Sequence, residues 1–517
     1  MALVESRLAA GTLAAIDVGT NSFHLVVARL RDGGGFDVIA REKERVRLGS
    51  GPGDMKFITP DAMERGLAAL GRMRQVAAIS AAPVRAVATS AVREAENRDE
   101  FVHRAYDEAG VDIEVISGIE EARLIHLGVL QALPVFDRHL LLCDIGGGST
   151  ELVLGHKGEV LASRSLKLGH LRLTNRFFAG EHIRARDVHA ARAFVRSALV
   201  PFVHEVDHCG FDVAAGSSGT IEALARLVQP ELRATNAFTF TRDELGEVVE
   251  RLLAAATATD RREIPGMDAS RVDVIVAGAL IAEQVMVSLG ATELMVSDYA
   301  LREGVLLDTV ARTEGGGVVH HLRDVSRRGV MQLAALCDAE PDHSAQVARL
   351  ALQLFDTTTA IHGLDEGCRE YLEAGALLAN VGLFVSHSKH HLHSYYVIRN
   401  SEHLVGLTDT EIEIIALLAR YHRKSGPKDT HPEYARLPRR ERDIVRVLAG
   451  LLRVAIGLDR SHESRVSSLA AATLDPLLIE VTARASMDIS LELYAATERS
   501  GLLAEGLGRA VELLAAV

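Results

Sequence analysis

One sequence motif occurs twice in the first part of the chain, and it constrains the fold more than any other feature. Residues 13–22 read LAAIDVGTNS, residues 140–150 read LLLCDIGGGST, and another apolar run follows each stretch. Both stretches therefore indicate a buried strand, a turn rich in Gly and Ser or Thr, and a second strand. The same strand–turn–strand pattern thus occurs twice, within a part of the chain whose mixed strand and helix signals indicate an α/β architecture.

The composition of these turns favours an anion as ligand. Glycines allow close backbone approach, successive N–H groups form a nest, and Ser and Thr hydroxyls add donors. A third glycine-rich turn, VAAGSSGT at 213–220, joins a strand to a helix N-terminus, which also favours an anion. Each loop alone is equally an ordinary hairpin or a capped connection, but three together favour one phosphate-binding cleft. The predicted phosphate-binding residues are Gly19, Thr20, Asn21, Ser22, Gly146, Gly147, Gly148, Ser149, Thr150, Gly216, Ser217, Ser218, Gly219 and Thr220.

The hydrophobic pattern changes twice along the chain. Short apolar runs alternate with helical stretches up to about residue 312, and a Thr-Glu-Gly-Gly-Gly break follows at 313–317. From 320 to about 462 the period is helical with almost no strand signal. In the last 50 residues we predict strands at 477–482 and 489–493 and a closing helix at 501–515. The predicted domains are α/β subdomains at 1–135 and 136–312, a helical domain at 313–465 and a small α+β domain at 466–517.

Composition and charge exclude several classes of protein. A formal net charge of −13 disfavours a general nucleic-acid binder, and 4% aromatic residues without Trp argue against a base-stacking platform. The four cysteines are widely spaced, which favours reduced apolar residues over metal ligands. Since we find no signal peptide and no apolar run long enough to span a membrane, we expect a soluble cytoplasmic protein that binds neither membrane nor nucleic acid.

Four further motifs specify a family. They are ATSAVR at 88–93, ISGIEEARL at 116–124, SDYALREG at 297–304 and RYHRK at 420–424. Together with the 140–150 loop and the first loop, which continues as Phe23-His24, they resemble the exopolyphosphatase and guanosine-pentaphosphate phosphohydrolase family. The resemblance implies duplicated actin-like (ribonuclease H-like) domains with a cleft between them, followed by a helical HD-like domain and the small α+β domain.

The resemblance also implies roles for individual residues. Glu121 matches the catalytic glutamate that activates water, and Glu120 is the alternative base. Arg93 is expected to neutralise a phosphate oxygen. Asp144 and Glu151 match the metal-side carboxylates, with Asp17 in the same cleft. The implied cofactor is Mg²⁺, with Mn²⁺ as an alternative and K⁺ as an accompanying ion, and the implied assembly is a homodimer.

The helical segment departs from the HD pattern. Where the metal-binding His-Asp doublet is expected, the chain has Ala379 and Asn380, so we predict no second metal site and interpret the histidine-rich stretch 387–393 as a basic loop. Residues 420–442 carry eight Lys and Arg against three acids, a local charge of +5 in an acidic protein. This segment is therefore a candidate track for a polyanion. The predicted track residues are Arg420, His422, Arg423 and Lys424.

Four functions remain open at the level of sequence. The first is an exopolyphosphatase that processively removes terminal phosphate from inorganic polyphosphate. The second is guanosine pentaphosphate 5′-phosphohydrolase, which shares every motif above. The third class is a kinase or ATPase of the same superfold, which would need an acceptor pocket. The fourth is a non-hydrolytic nucleotide or alarmone sensor, which would not need Glu121. The basic segment favours polyphosphate as substrate.

Overall fold

The computed structural model describes residues 11–31, 35–50, 55–180, 182–313, 318–401, 403–475 and 477–516. The chain forms two units, Met1–Leu322 and Arg323–Val517. Most of the predicted glycine-rich break, 314–317, lies outside the described residues. Among the helices that are described, none is both long and apolar enough to cross a membrane.

The first sheet of unit 1 contains five strands in the order β3-β2-β1-β4-β5. β1, β2 and β3 are antiparallel neighbours, whereas β4 and β5 continue the sheet in parallel with β1. The strands are β1 Thr12–Val18, β2 Phe23–Leu30, β3 Phe36–Glu44, β4 Val84–Ala88 and β5 Ile113–Val115. The accompanying helices are α1 Pro60–Ile79, α2 Ser90–Glu94, α3 Arg98–Arg104, which continues as a π turn over Ala105–Ala109, and α4 Gly118–Ala132.

The second sheet repeats this arrangement with one added strand, in the order β10-β11-β9-β6-β7-β8. The strands are β6 Leu140–Ile145, β7 Thr150–His156, β8 Glu159–Leu166, β9 Val213–Ser217, β10 Thr239–Thr241 and β11 Glu293–Val296. The helices are α5 His170–Phe177, α6 Ala185–Cys209, α7 Ser218–Val228, α8 Arg242–Ala254, α9 Ala258–Arg262 and α10 Ile275–Ser288.

The two sheets place one residue of each repeat in equivalent positions. Asp17 lies opposite His24 across the β1–β2 hairpin, and Asp144 lies opposite Glu151 across the β6–β7 hairpin. β1 and β6 are the strands at which each sheet changes from antiparallel to parallel pairing. The predicted duplicated actin-like α/β fold is confirmed.

The last helix of unit 1, α11 (Leu301–Thr313), packs against α4 and β1 of the first subdomain. The sequence-based boundary grouped this segment with the second subdomain. Glycines allow the close crossing: a Cβ on Gly128 would lie 2.3 Å from the carbonyl oxygen of Ala300, and one on Gly304 would lie 1.8 Å from that of Leu124. The helix therefore ties the two subdomains together through backbone contact that no larger residue permits.

Unit 2 is mainly helical, as the pattern predicted. Its helices are α12 Val318–Cys337, α13 Pro341–His362, α14 Glu366–Leu377, α15 His390–Arg399, α16 Asp409–Tyr421, α17 Pro432–Ala435 and α18 Arg439–Leu458. They are followed by β12 Val466–Asp475, β13 Leu478–Ala485, α19 Ser490–Thr497, α20 Gly501–Leu507 and β14 Ala510–Ala515.

The C-terminal segment differs from the prediction in three respects. The predicted strand at 489–493 is wrong, because these residues begin α19, whose Ala496 packs against Gly457 of α18. The predicted closing helix ends early, because 510–515 pair in parallel with β13. The segment also shares one hydrophobic core with the helices, since Ile479 and Leu503 belong to the same cluster as Leu451. It is thus part of unit 2 rather than a separately folded domain.

Candidate active site

A cavity of about 510 Å³ lies between the two subdomains of unit 1. Its walls include the turn after β1 and the turn after β6, which approach each other closely. A Cβ on Gly147 would lie 3.2 Å from the Cβ atoms of Thr20 and Asn21. The absence of a side chain at Gly147 therefore leaves room for the two turns to face one cavity.

Three carboxylates from the hairpins line this cavity: Asp17, Asp144 and Glu151. The hydroxyl of Ser217 donates to Oδ2 of Asp144 at 2.5 Å, because β9 runs parallel to β6 and brings the two residues side by side. The hydroxyl of Ser165, from the neighbouring β8, donates to Oε1 of Glu151 at 2.8 Å. The strand pairing thus orients two of the three carboxylates.

The fourth carboxylate, Glu121, enters from the first turn of α4. The hydroxyl of Ser117 caps this helix by accepting the N–H of Glu120 at 3.1 Å, which fixes where the helix begins. Arg93 Nη1 donates to Oε2 of Glu121 at 2.9 Å and to the carbonyl oxygen of Ile116 at 2.9 Å. The guanidinium therefore holds the Glu121 carboxylate in one orientation at the cavity wall.

Burial and mutual repulsion raise the pKa of this group of carboxylates. Desolvation raises the pKa of Asp17 and of Asp144 to about 7, and the charge of Glu121 adds to both increases. Desolvation also raises the pKa of Glu151 well above its usual value, again with a contribution from Glu121. Burial raises the pKa of Glu121, against the opposing effect of Arg93. Such a cluster of perturbed acids in a cleft is typical of a functional site.

Glu120 faces away from the cavity and is engaged elsewhere. Both of its carboxylate oxygens accept from Arg123, at 2.7 and 2.8 Å. Arg123 also donates to Asp308 of α11 at 2.6 Å, and Arg85 of β4 donates to the other oxygen of Asp308 at 2.6 Å. Glu120 thus belongs to a buried ionic cluster that joins α4, α11 and β4. The structure favours Glu121 over Glu120 as the candidate base.

The structure places most predicted phosphate-binding residues at the cavity wall, but three lie behind it. The Thr150 hydroxyl donates to the carbonyl oxygen of Leu168, and Ser217 donates to Asp144. Gly216 packs against Leu294 in the interior. The predicted residues that line the cavity are Gly19, Thr20, Asn21, Ser22, Gly146, Gly147, Gly148, Ser149, Ser218, Gly219 and Thr220.

The third loop is held in a strained conformation. Ser218 has a φ of +78°, which non-glycine residues rarely adopt. Its hydroxyl and that of Thr220 both donate to the carbonyl oxygen of Ile145 at 2.9 Å. These bonds tie the loop to the end of β6 and leave Gly219 at the cavity wall. Strain of this kind is frequent at ligand-binding loops.

Sequence reasoning missed the cations of the cavity wall. Arg302 Nη1 donates to Nδ1 of His24 at 3.0 Å, and its charge opposes the rise in the pKa of Asp17. Arg271 lies so close to Gly219 that a Cβ there would meet its Nη2 at 2.0 Å. Lys43 faces Arg271, and burial with that neighbouring charge lowers its pKa. Arg302 stands inside the SDYALREG motif and could have been found there, whereas Lys43 and Arg271 carry no local signal.

The residues present fit a divalent cation. Four carboxylates that repel one another, three of them buried and Asp17 partly exposed, would be stabilised by positive charge, and carboxylate oxygens suit Mg²⁺. Over the described ranges, however, no three His, Cys, Asp or Glu side chains converge as ready metal ligands. The predicted set of Asp144, Glu151 and Asp17 is therefore not a preformed cage. It is compatible with an ion that has one or two protein ligands and completes its shell with water and phosphate.

Unit 2 has its own cavity, of about 660 Å³. Of the predicted track residues, His422, Arg423 and Lys424 line it, whereas Arg420 does not. Arg420 is paired with Glu433 at 3.1 Å and lies over the ring of Tyr395. Further cations in the cavity wall are Arg453, Arg460 and Arg499.

The wall of the unit 2 cavity carries these cations together with three glutamates, Glu340, Glu498 and Glu505. Arg423, Lys424, Arg453, Arg460 and Arg499 make no ion pair with a carboxylate within the part of the chain that is described. The charges of Arg460 and Arg423 add to burial in lowering the pKa of Arg499. The cations outnumber the acids of this wall, and an excess of positive charge is typical of a surface that receives an anion.

Histidines form the inner wall of the same cavity. Nε2 of His390 lies 3.2 Å from Nε2 of His422, and His343 Nδ1 lies 2.7 Å from Oδ2 of Asp459. Burial lowers the pKa of His422 to about 3, so its imidazole is neutral at physiological pH. Asn380 also lines the wall, at the position where the sequence departs from the metal-binding doublet.

Two family matches cover most of the chain. Residues 26–313 match the Ppx/GppA phosphatase family, and residues 325–492 match domain III of the Ppx/GppA phosphatases. The first match alone spans more than half of the 517 residues. It contains the Asp144 hairpin, Arg93 and Glu121, whereas Asp17 and the turn after β1 precede the matched residues.

Solved structures resemble a little more than half of the chain. An exopolyphosphatase from Cytophaga hutchinsonii is 32% identical with a TM-score of 0.55, and the match covers 59% of this chain and 100% of that one. An exopolyphosphatase-like protein is 29% identical with a TM-score of 0.54, covering 58% and 99%. A Ppx/GppA family member from Aquifex aeolicus is 27% identical with a TM-score of 0.52, covering 59% and 99%.

Proposed function

The chain belongs to the Ppx/GppA phosphatase family, and on that premise we propose that it is an Mg²⁺-dependent exopolyphosphatase. It would release orthophosphate from the end of inorganic polyphosphate. The observation that carries this proposal is the position of Glu121 beside Asp144 and Glu151, at a cavity wall formed by two glycine-rich turns. A candidate base, two turns suited to bind an anion and oxygen ligands suited to a cation therefore line the same cavity.

In this mechanism the terminal phosphate lies against the backbone N–H groups and hydroxyls of the two turns. Glu121 accepts a proton from a water molecule as the water oxygen bonds to the terminal phosphorus. The bridging P–O bond breaks in line, and the shortened chain leaves with the bonding electron pair. Arg93 keeps the Glu121 carboxylate oriented through the 2.9 Å hydrogen bond.

A bound Mg²⁺, held by Asp144 and Glu151 with Asp17 nearby, would neutralise phosphate charge and polarise the bond that breaks. The raised pKa values of these acids would fall when a cation binds, so they would be ionised in the loaded enzyme. Lys43, Arg271 and Arg302 extend positive charge along the wall of the same cavity, where phosphates behind the terminal one would be neutralised.

The cations of the unit 2 cavity support a polymeric substrate. A nucleotide has a few phosphates and needs one basic site, whereas a long chain gains affinity from a second one. Arg423 and Lys424, together with Arg453, Arg460 and Arg499, are the cations that would bind a distal stretch of such a chain.

The test is orthophosphate release by the full chain with Mg²⁺ and, separately, long-chain polyphosphate, guanosine pentaphosphate or ATP. Release from polyphosphate that is faster than from the other two supports the proposal. Preference for guanosine pentaphosphate would identify the nucleotide phosphohydrolase instead, and preference for ATP an ATPase. If the protein binds these anions but hydrolyses none of them, the function is that of a non-hydrolytic sensor rather than an enzyme. Glu121→Gln protein is the control for contaminating phosphatase.

A further inference from the structure

Glu94, the residue next to Arg93, makes contacts that the proposed chemistry does not use. It ends the short helix α2, and only 14% of its side chain is exposed. Oε1 accepts from the Ser90 hydroxyl at 3.0 Å and from Arg172 Nη2 at 3.1 Å, and Oε2 lies 2.7 Å from Nζ of Lys167. Glu94 belongs to the first subdomain, whereas Arg172 and Lys167 belong to the second.

Arg172 connects Glu94 to the glycine-rich turn that contains Gly148. Its side chain is only 8% exposed, and its Nε donates to the carbonyl oxygen of Gly148 at 2.9 Å. Its backbone N–H donates to the carbonyl oxygen of Gly147 at 3.3 Å. The guanidinium of Arg172 is thus shared between the turn of the second subdomain and the carboxylate of the first.

The two adjacent residues of α2 therefore point to different partners. Arg93 bonds the candidate base Glu121, and Glu94 bonds the residue that holds the Gly148 turn. Because α2 contains only five residues, a shift of Glu94 displaces Arg93 as well. Glu94 also acts through space, since its negative charge contributes to the raised pKa of Glu121.

We propose that Glu94 is a positioning residue that couples the Gly148 turn to the Arg93–Glu121 pair across the subdomain boundary. Neither Glu94 nor Arg172 lines the cavity, so the effect on turnover is indirect. Removal of one partner is costly because both are largely buried, and a charge left without its partner there is poorly tolerated. This inference rests on the proposed hydrolysis for its kinetic consequences, but the coupling itself is a property of the fold.

The kinetic test compares Glu94→Gln, Arg172→Gln and the double variant with the full-length protein in polyphosphate hydrolysis. Each single change should lower kcat by about tenfold, and the double variant should lose much less than the product of the two. Multiplicative losses would overturn the proposal. Glu283→Gln is the matched control, because it breaks a comparable pair with Arg192 at 2.7 Å within the second subdomain, and it should leave kcat unchanged.

The pH profile separates positioning from general loss of structure. Removing the charge of Glu94 lowers the pKa of Glu121, so Glu94→Gln should move the acidic limb of kcat/KM to lower pH. Arg172→Gln leaves Glu94 without its guanidinium partner and should move the limb to higher pH. A common shift in both variants, or none in either, would contradict the proposal. Glu94→Asp, which keeps the charge on a shorter side chain, should retain the wild-type limb.

Hydrogen exchange gives a measure that does not depend on activity. In Glu94→Gln the amides of 146–149 should exchange faster than in wild type, whereas Glu283→Gln should leave them unchanged. Unchanged protection in Glu94→Gln would refute the coupling. If the wild-type protein hydrolyses none of the three substrates, the proposed function fails while this result still decides whether Glu94 holds the turn.

Discussion

Nη1 of Arg93 lies 2.9 Å from Oε2 of Glu121, and the two residues come from different helices of the first subdomain. The preceding residue, Glu120, is turned in the opposite direction and held by Arg123. Adjacent glutamates on one helix turn therefore have different environments. Glu121 faces a cavity that Asp17, Asp144 and Glu151 also line, and Glu120 lies in a buried ionic cluster.

The first prediction separates these two residues as the base. Glu121→Gln should lower kcat by about 10²–10⁴-fold with little change in KM, because the amide cannot accept the proton of water. Glu120→Gln should instead lower the unfolding temperature, since it disturbs the cluster with Arg123 and Asp308, and should retain most activity. Orthophosphate release and thermal unfolding measure both effects. Near-normal turnover of Glu121→Gln would remove it as the base.

The second prediction concerns the acidic limb of the pH profile. Arg93 opposes the rise in the pKa of Glu121, so Arg93→Gln should raise that pKa further. The limb of kcat/KM that reports ionisation of Glu121 should then move to higher pH, and kcat should fall at neutral pH. Arg98→Gln is the control, because Arg98 pairs with its neighbour Asp99 at 3.5 Å rather than with Glu121. A limb that stays in place would show that Arg93 does not influence the base.

The third prediction links metal, pH and stability. Burial raises the pKa of Asp17 and Asp144 from 3.8 to about 7. Their contribution to the stability of the metal-free protein is therefore fully present below about pH 4 and is lost as pH rises through about 7. A cation that binds the ionised carboxylates offsets this loss. Mg²⁺ should consequently raise Tm more at about pH 8 than at about pH 5.

Calorimetry in EDTA and in Mg²⁺ at the two pH values measures this difference. Asp144→Asn should reduce both the pH dependence of Tm and the increment from Mg²⁺. Asp212→Asn is a control, because Asp212 is an exposed carboxylate beside His139, away from the cavity. Equal Mg²⁺ increments at both pH values would contradict the assignment of the ion to these acids.

The fourth prediction addresses the cavity of unit 2. Arg423→Gln/Lys424→Gln should raise KM for long polyphosphate more than for short chains, and the difference should shrink with added salt. Arg436→Gln/Arg439→Gln removes the same charge from exposed residues outside the cavity and should affect both lengths little. Equal losses on long and short chains would exclude this cavity as a distal binding site.

The fifth prediction tests the crossing of α4 and α11. Gly304→Ala should destabilise unit 1 by about 1–3 kcal/mol, because the new Cβ would lie 1.8 Å from the carbonyl oxygen of Leu124. Gly71→Ala in α1 should instead stabilise the protein by about 0.5–1 kcal/mol, since its Cβ would meet nothing within 4 Å. Denaturant unfolding measures both. A neutral Gly304→Ala variant would show that the two helices are not in close contact.

The local sequence was sufficient to predict those elements whose conformation depends on neighbouring residues. The two Asp hairpins and the strand-to-helix turn at Gly216 follow from short apolar runs and the glycines that come after them. The C-terminal segment is the opposite case. Residues 510–515 read AVELLA, which suits a helix, yet they form β14 because β13 offers an unpaired edge. Long-range pairing there outweighs local propensity.

The sequence by itself determined that two glycine-rich hairpins each present an Asp, because turn geometry and strand periodicity are encoded by neighbouring residues. Only the tertiary structure decided which of Glu120 and Glu121 faces the cavity, because Glu120 is held by Arg123, which in turn is bound by Asp308, a residue distant in sequence. The tertiary structure also placed Lys43 and Arg271 in the wall of the active-site cavity and Gly216 in the interior behind that wall. Burial and charge at a site depend on which elements the fold brings together, and no short motif records that.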